Sequence, residues 1–135
     1  MIPTILIAED DPDDQFLMRS AFKDIAFDCK LEFVKDGEEL SQYLKEKELP
    51  DIILMDLNMP KIDGREMLKI LKSSELYAHL PVMVISTSTA EKEIKTAYRE
   101  GAAAYIAKPA DYDTLTELLR NLTSFFFKSV MLPKS

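Results

Sequence analysis

The sequence predicts an α/β domain in which a five-stranded parallel sheet carries helices on both of its faces. Two observations lead to this fold class: five short, almost uninterruptedly apolar runs recur along the 135 residues, and amphipathic stretches separate them. Unbroken apolar runs of this length are typical of strands that helices cover on both sides. Alternating strands and helices imply right-handed crossovers, and such sheets bind ligands at the carboxyl ends of their strands.

The predicted strands are the apolar runs at residues 5–8, 31–34, 52–55, 82–85 and 103–107. The helices between them begin at capping signals. Asp11 followed by Pro12 fits an N-cap and the first helical position. Residues 36–39 and 88–91 each fit a capping box. The apolar stripe predicted for the first helix includes Leu17, Ala21 and Ile25. We expect one domain over residues 1–128 and a C-terminal tail over 129–135.

The composition argues against nucleic-acid binding and favours a reducing compartment. The chain has 24 acidic and 17 basic residues, a net charge of −7, whereas phosphate backbones attract proteins with surplus Lys and Arg. Cys29 is the only cysteine, so no disulfide can form within the chain. The N-terminus lacks the pattern of a signal peptide, and no apolar stretch is long enough to span a bilayer. We therefore expect a cytoplasmic protein without membrane contact.

Polar side chains that could carry chemistry follow four of the predicted strands: Glu9 and Asp10, Asp56, Ser86, and Lys108. The first and third strands are predicted neighbours in the middle of the sheet, so their ends would bring three carboxylates together. Carboxylates at one rim repel each other, and a divalent cation relieves that repulsion. Oxygen ligands alone indicate a hard ion such as Mg²⁺. Asp11, Asp13 and Asp14 are assigned to the capped start of the first helix.

Asp56 is the best candidate for a nucleophile, because it stands alone at the end of a central strand. The Ser86 hydroxyl can donate to a phosphoryl oxygen, and the Lys108 ammonium can neutralise one or hold a carboxylate in place. A carboxylate, a metal ion, a hydroxyl and an ammonium together are the groups that an aspartyl-phosphate site needs.

The pattern resembles the receiver domains of two-component response regulators over nearly the whole chain. The matching segments are ILIAEDD at 5–11, LMDLNMP at 54–60, Asp63-Gly64, LPVMVIS at 80–86, Gly101-Ala102 and YIAKP at 105–109. The resemblance implies a flavodoxin-like fold with five helices and the strand order 2-1-3-4-5. It also implies transfer of a phosphoryl group to Asp56 from a sensor histidine kinase or a phosphotransfer protein.

The resemblance implies a role for each metal-site residue. Asp10 and Asp56 would bind Mg²⁺ directly, Asn58 would bind it through the backbone carbonyl, and Glu9 would bind it through water. Glu9 replaces the commoner Asp, a substitution that a water-mediated ligand tolerates.

The remaining roles concern the phosphoryl group and the response to it. Ser86, which replaces the commoner Thr, would bond the phosphoryl group and move inward on activation. Lys108 would bridge to Asp56 or its phosphate, and the Lys108–Pro109 bond would be cis. Tyr105 would be the switch that turns inward when Ser86 moves. The protein would catalyse only its own phosphorylation and dephosphorylation.

The output implied by the resemblance is protein contact, because the sequence shows no helix-turn-helix, basic output helix or catalytic module. The segments at 63–66 and 108–111 are similar to small regulators associated with phytochrome-type kinases. Ala110 departs from the large apolar residue usual there, which affects details of the surface beside the fifth strand.

Other function classes stay open. A phosphohydrolase of the haloacid-dehalogenase type also uses an Asp nucleophile with Mg²⁺, but it needs an acid two residues later, where this chain has Asn58. A flavodoxin-like flavin module needs a hydroxyl-rich loop after the first strand, which here is polyanionic. A degenerate receiver that regulates without phosphorylation is the third alternative.

Phe125, Phe126 and Phe127 cannot all face one side of a helix, because neighbouring residues are about 100° apart. They predict either a small additional core at the C-terminus or a face on the last helix for a homodimer or a downstream partner.

Overall fold

The computed structural model describes residues 2–133 and confirms the predicted sheet. Five parallel strands lie in the order β2-β1-β3-β4-β5, which is the order 2-1-3-4-5. The strands are β1 Thr4–Ala8, β2 Lys30–Val34, β3 Ile52–Asp56, β4 Val82–Ser86 and β5 Ala104–Ala107. The first two strands begin one residue earlier than predicted, the fifth begins one residue later, and the third and fourth end one residue later.

Five helices cover the two faces of the sheet. They are α1 Pro12–Asp24, α2 Gly37–Glu46, α3 Gly64–Ser73, α4 Glu91–Arg99 and α5 Tyr112–Ser124. Residues of α2, α3 and α4 pack in one core with Leu6 and Met55, whereas residues of α1 and α5 pack in the other with Ile5 and Leu54. Successive strand residues therefore enter opposite cores, which explains why the central strands are apolar without alternation.

Most of the predicted helix starts are correct. Asp11 accepts a hydrogen bond from the backbone N–H of Asp13 at 2.9 Å, with Pro12 as the first residue of α1. Asp36 likewise accepts from the N–H of Glu39 at 2.7 Å. These side chains satisfy backbone donors that have no partner inside the helix.

Two sequence predictions about the helices are wrong. No side chain caps α4, since Ser88 accepts from the nearby N–H of Ala90 instead, a local turn that competes with helix capping. On α1 the buried residues are Met18, Ala21 and Phe22, whereas Leu17 is 41% exposed. Ala21 of the predicted stripe is buried and Ile25 packs partly against the same core, so the prediction fails at Leu17 alone, while Met18 and Phe22 complete the buried face.

The chain continues from α5 into a π-helical turn, Phe125–Ser129, which closes with a bond from the N–H of Val130 to the carbonyl of Phe125. Phe126 and Phe127 pack against the core beneath α1 and α5, and Phe127 stacks on Phe27 with ring centroids 5.4 Å apart. Phe125 points outward and is 54% exposed. Two of the three rings thus join the core that α1 and α5 share. Within residues 2–133, no helix is long and apolar enough to cross a membrane.

Candidate functional site

The ends of β1 and β3 bring three acidic residues together. Ala8 pairs with Met55 in the sheet, so Glu9 and Asp56 stand side by side where the two strands end. One carboxylate oxygen from each of Glu9, Asp10 and Asp56 lies within 4.8 Å of the other two. Glu9 and Asp56 are buried and Asp10 is exposed, so the cluster opens to solvent on the side of Asp10.

Asp56 is held from two sides. Its Oδ1 atom accepts a hydrogen bond from the backbone N–H of Asn58 at 2.9 Å. Behind it, α3 begins at Gly64, whose N–H donates to the Leu57 carbonyl. A Cβ atom on Gly64 would lie 2.4 Å from the Asp56 carbonyl oxygen, so only glycine allows this close approach.

Lys108 reaches the same point from the end of β5. Its N–H donates to the Ser86 carbonyl at 2.8 Å, which continues the sheet pairing beyond the strand. Its Nζ atom lies 2.8 Å from Glu9 Oε1, 2.9 Å from Asp56 Oδ2 and 3.0 Å from Asp14 Oδ2. Three carboxylates therefore share one ammonium group.

Asp14 is a site residue for which the sequence predicts only a place at the start of α1. Its position in the sequence is compatible with a place at the site, because a side chain in the first helical turn points back towards the helix N-terminus and so towards the strand ends. An acid in an N-terminal turn is explained equally well by capping, and the spacing alone did not distinguish the two.

Ser86 and Tyr105 are joined through Ser88. Ser86 is fully buried, and its Oγ atom accepts from the N–H of Ser88 at 3.1 Å. The half-buried Tyr105 donates its hydroxyl hydrogen to the carbonyl oxygen of Ser88 at 2.8 Å. One short turn after β4 thus contacts both side chains.

A scan against protein families matches residues 5–120 to the response regulator receiver domain. The chain belongs to this family. Receiver domains are signalling domains of two-component systems that interact with histidine kinases or phosphotransfer proteins. The resemblance inferred from the sequence is therefore confirmed.

Three proteins that are similar to this receiver domain over nearly its whole length are themselves response regulators. Response regulator Rcp1 of Synechocystis is 30% identical over 135 residues, covering 96% of this chain and 92% of that protein. The phosphorylated cyanobacterial phytochrome response regulator RcpA is 32% identical with a TM-score of 0.92, and the match covers 99% of this chain and 100% of that one. Response regulator RPA3017, in red light signaling of R. palustris, is 35% identical with a TM-score of 0.93 and the same coverage.

The acidic cluster of this receiver domain fits a hard divalent cation. All the candidate ligand atoms are oxygens, which suits Mg²⁺ or Mn²⁺ better than zinc. Receiver domains bind these ions at an acidic site, and Rcp1 has been solved in a Mn²⁺-bound form that is 30% identical to this chain with a TM-score of 0.88. That match covers 98% of this chain and 99% of that one.

The pKa values of Glu9 and Lys108 differ from their ordinary values. Burial raises the pKa of Glu9 to about 7, and the negative charge of Asp56 adds to this, although Lys108 opposes both. Burial alone lowers the pKa of Lys108, but its hydrogen bonds to Glu9, Asp56 and Asp14 outweigh that and hold the pKa above its ordinary range. The ammonium therefore stays charged, and the Glu9 carboxylate takes up a proton more easily than an exposed glutamate does.

The expectation of a cis bond between Lys108 and Pro109 is wrong. No peptide bond in the described part of the chain is cis, so this bond is trans. The trans isomer is the intrinsically favoured one for a bond before proline, by about 0.5–1 kcal/mol.

Proposed function

We propose that this receiver domain accepts a phosphoryl group on Asp56 from a phosphohistidine of a sensor kinase or phosphotransfer protein, with Mg²⁺ bound beside it. The observation that carries the proposal is the position of the Asp56 carboxylate. It is buried at the end of a central strand, within 4.8 Å of two further acids and 2.9 Å from the Lys108 ammonium. Burial there shields a reactive carboxylate while leaving one open side for a donor.

The transfer exchanges one bond for another. An Oδ atom of Asp56 attacks the donor phosphorus, the bond from phosphorus to the donor imidazole breaks, and its electron pair returns to that nitrogen, which takes a proton from solvent. In the separate dephosphorylation step, water attacks the phosphorus and gives up a proton to solvent, and the Asp56 oxygen leaves with its electrons. Inorganic phosphate and the free carboxylate result.

The proposed metal ligands are Asp10 and Asp56 through their carboxylates, Asn58 through its backbone carbonyl and Glu9 through water. A bound Mg²⁺ would neutralise charge that develops on the phosphoryl oxygens. Asp10 fits a direct ligand because it is the exposed member of the cluster, with no side-chain bond among the described residues. Glu9 fits an indirect one because its two oxygens already contact Lys108 and the N–H of Asp11.

Lys108 and Ser86 would stabilise the phosphoryl group once it is attached. The ammonium already touches Asp56, so it can follow the added charge with a small movement. Ser86 would turn its hydroxyl from the N–H of Ser88 to a phosphoryl oxygen. That turn would loosen the Ser88 segment, to which the Tyr105 hydroxyl is bonded, and Tyr105 could then rotate inward.

The donor that we propose is a phytochrome-type histidine kinase in the cytoplasm, because the similar proteins RcpA and RPA3017 are described as regulators of phytochrome or red-light signalling. The output would be contact with a downstream protein or a second copy of the chain.

Incubation with acetyl phosphate and Mg²⁺, followed by intact-mass measurement, tests phosphorylation directly. One added phosphoryl group is expected, and the matched variant Asp56→Asn should not gain it. Wild-type protein that binds Mg²⁺ yet gains no mass would support regulation without phosphorylation. Turnover of a generic phosphate ester would support the phosphohydrolase alternative instead.

A further inference from the structure

The Lys108 ammonium is already surrounded by carboxylates. Of its three hydrogens, two are donated to Asp56 and Asp14, and Glu9 Oε1 forms an ion pair with the same nitrogen atom at 2.8 Å. An attached phosphoryl group carries about −1.5 to −2 charges and several acceptor oxygens. To bond such an oxygen, Lys108 has to release one of the carboxylates that it holds.

Asp14 is the carboxylate that is easiest to release. The side chains of Glu9 and Asp56 are only 4% and 7% exposed, whereas that of Asp14 is 36% exposed. A buried carboxylate that loses its partner is left without compensation, but water can solvate a partly exposed one. The exchange should therefore occur at Asp14.

Asp14 is also placed firmly enough to act on Lys108. The Asp11 side chain caps this turn of α1. One residue beyond Asp14, the Gln15 side chain donates a hydrogen bond to the Glu9 carbonyl at 2.6 Å, which attaches the helix start to the end of β1. These two anchors fix the turn that carries Asp14, so its contact with Lys108 has a defined geometry.

We propose that Asp14 is a positioning residue that holds Lys108 in its resting place and competes with the phosphoryl group on Asp56 for the ammonium. The proposal rests on the proposed function of Asp56. Removing the Asp14 charge weakens the resting state only, because the phosphorylated state has already given up that contact. The change therefore favours the phosphorylated form.

Asp14→Asn tests the competition, and Asp13→Asn is its matched control. Asp13 lies in the same turn, is exposed, and carries the same charge without contacting Lys108. Asp14→Glu is the conservative variant, and a cavity of about 100 Å³ between Asp14, Lys108 and Tyr112 leaves room for the longer side chain.

The first measurement is a titration with beryllofluoride, a stand-in for the phosphoryl group on a carboxylate, in the presence of Mg²⁺. Asp14→Asn should bind it about two- to fivefold more tightly, as expected for loss of a partly exposed charged contact. Asp13→Asn should change the affinity by much less, and Asp14→Glu should restore the wild-type value. Equal tightening in both Asn variants, or none in Asp14→Asn, overturns the proposal.

The second measurement does not depend on phosphorylation. The ammonium hydrogens of Lys108, assigned by NMR from the signal lost in Lys108→Met, should exchange with water about two- to fivefold faster in Asp14→Asn than in wild type or Asp13→Asn. Unchanged exchange overturns the role of Asp14. If the wild type takes up neither a phosphoryl group nor beryllofluoride, the proposed function of Asp56 fails, while this exchange still decides whether Asp14 holds Lys108.

Discussion

Tyr105 donates its hydroxyl hydrogen to the carbonyl oxygen of Ser88 at 2.8 Å, which ties the outer strand β5 to the turn that follows β4. The same turn contacts Ser86 through the N–H of Ser88. A movement of the Ser86 hydroxyl therefore acts on a segment that Tyr105 also holds.

Tyr105→Phe removes this hydrogen bond without changing the ring. We expect the free energy of unfolding to fall by about 0.5–1.5 kcal/mol, the usual net value of one hydrogen bond. Urea unfolding measures it. Tyr43→Phe is the control, since the Tyr43 hydroxyl makes no bond to the residues described by the structure. Equal losses in both variants would contradict a role for the Tyr105 hydroxyl.

Glu9 should make stability depend on pH in the absence of divalent cations. Its pKa is about 7 in the folded protein and ordinarily 4.5. The folded state thus binds the proton more tightly than the unfolded state, so this contribution is full below about pH 4.5 and is lost as the pH rises through about 7. Thermal unfolding between these values with EDTA present should show the loss, and Glu9→Gln should flatten it. A slope that persists unchanged in Glu9→Gln would assign the effect to another group.

Lys108→Met should leave three carboxylates without their shared cation. We expect a loss of about 1–3 kcal/mol at neutral pH, below the roughly 3–5 for a fully buried pair because a fifth of the Lys108 side chain is exposed. Mg²⁺ should recover part of it by supplying another positive charge, as urea unfolding with and without the ion can measure. Lys47→Met, at an exposed lysine beside α2, should change little under either condition. Equal losses in the two variants would show that Lys108 does not stabilise the cluster.

Phe127→Ala should lower stability by about 1.5–2.5 kcal/mol, roughly half the value for a fully buried Phe, because its ring stacks on Phe27 but is only partly buried. Phe125→Ala is the matched control and should cost less, about 0.5–1 kcal/mol, since Phe125 is 54% exposed and its ring keeps only an edge contact with Phe126. Urea unfolding compares them. The opposite order would mean that the outward ring has a partner in solution.

Light scattering separates the two interpretations of the C-terminal segment. If Phe125 and the fully exposed Met131 form a homodimer face, truncation after Lys128 or Phe125→Ala should reduce the mass of the particle in solution. A monomer in all three proteins would support the additional core alone.

The sheet and its rim were predictable because parallel strands end at one edge, so Glu9, Asp56 and Lys108 could be assigned there from their positions after apolar runs. The contact of Asp14 with Lys108 was not, because it depends on how far the first turn of α1 leans over β1. The exposure of Leu17 was missed for a related reason: a stripe read from spacing alone leaves the rotation of a helix uncertain by about one residue. Local turns decided the start of α4, where Ser88 bonds to its own neighbour instead of capping the helix.

The close approach of Gly64 to the backbone of Asp56 makes the two sides of the site differ in rigidity. On the side of α3 there is no room for the backbone to shift towards the phosphoacceptor, because main chain already meets main chain. On the side of α4, single hydrogen bonds from side chains hold the turn at Ser88. A structural change at Asp56 should therefore move the residues of α4 and β5 more than those of α3. A partner that distinguishes the two states would bind the surface formed by α4 and β5.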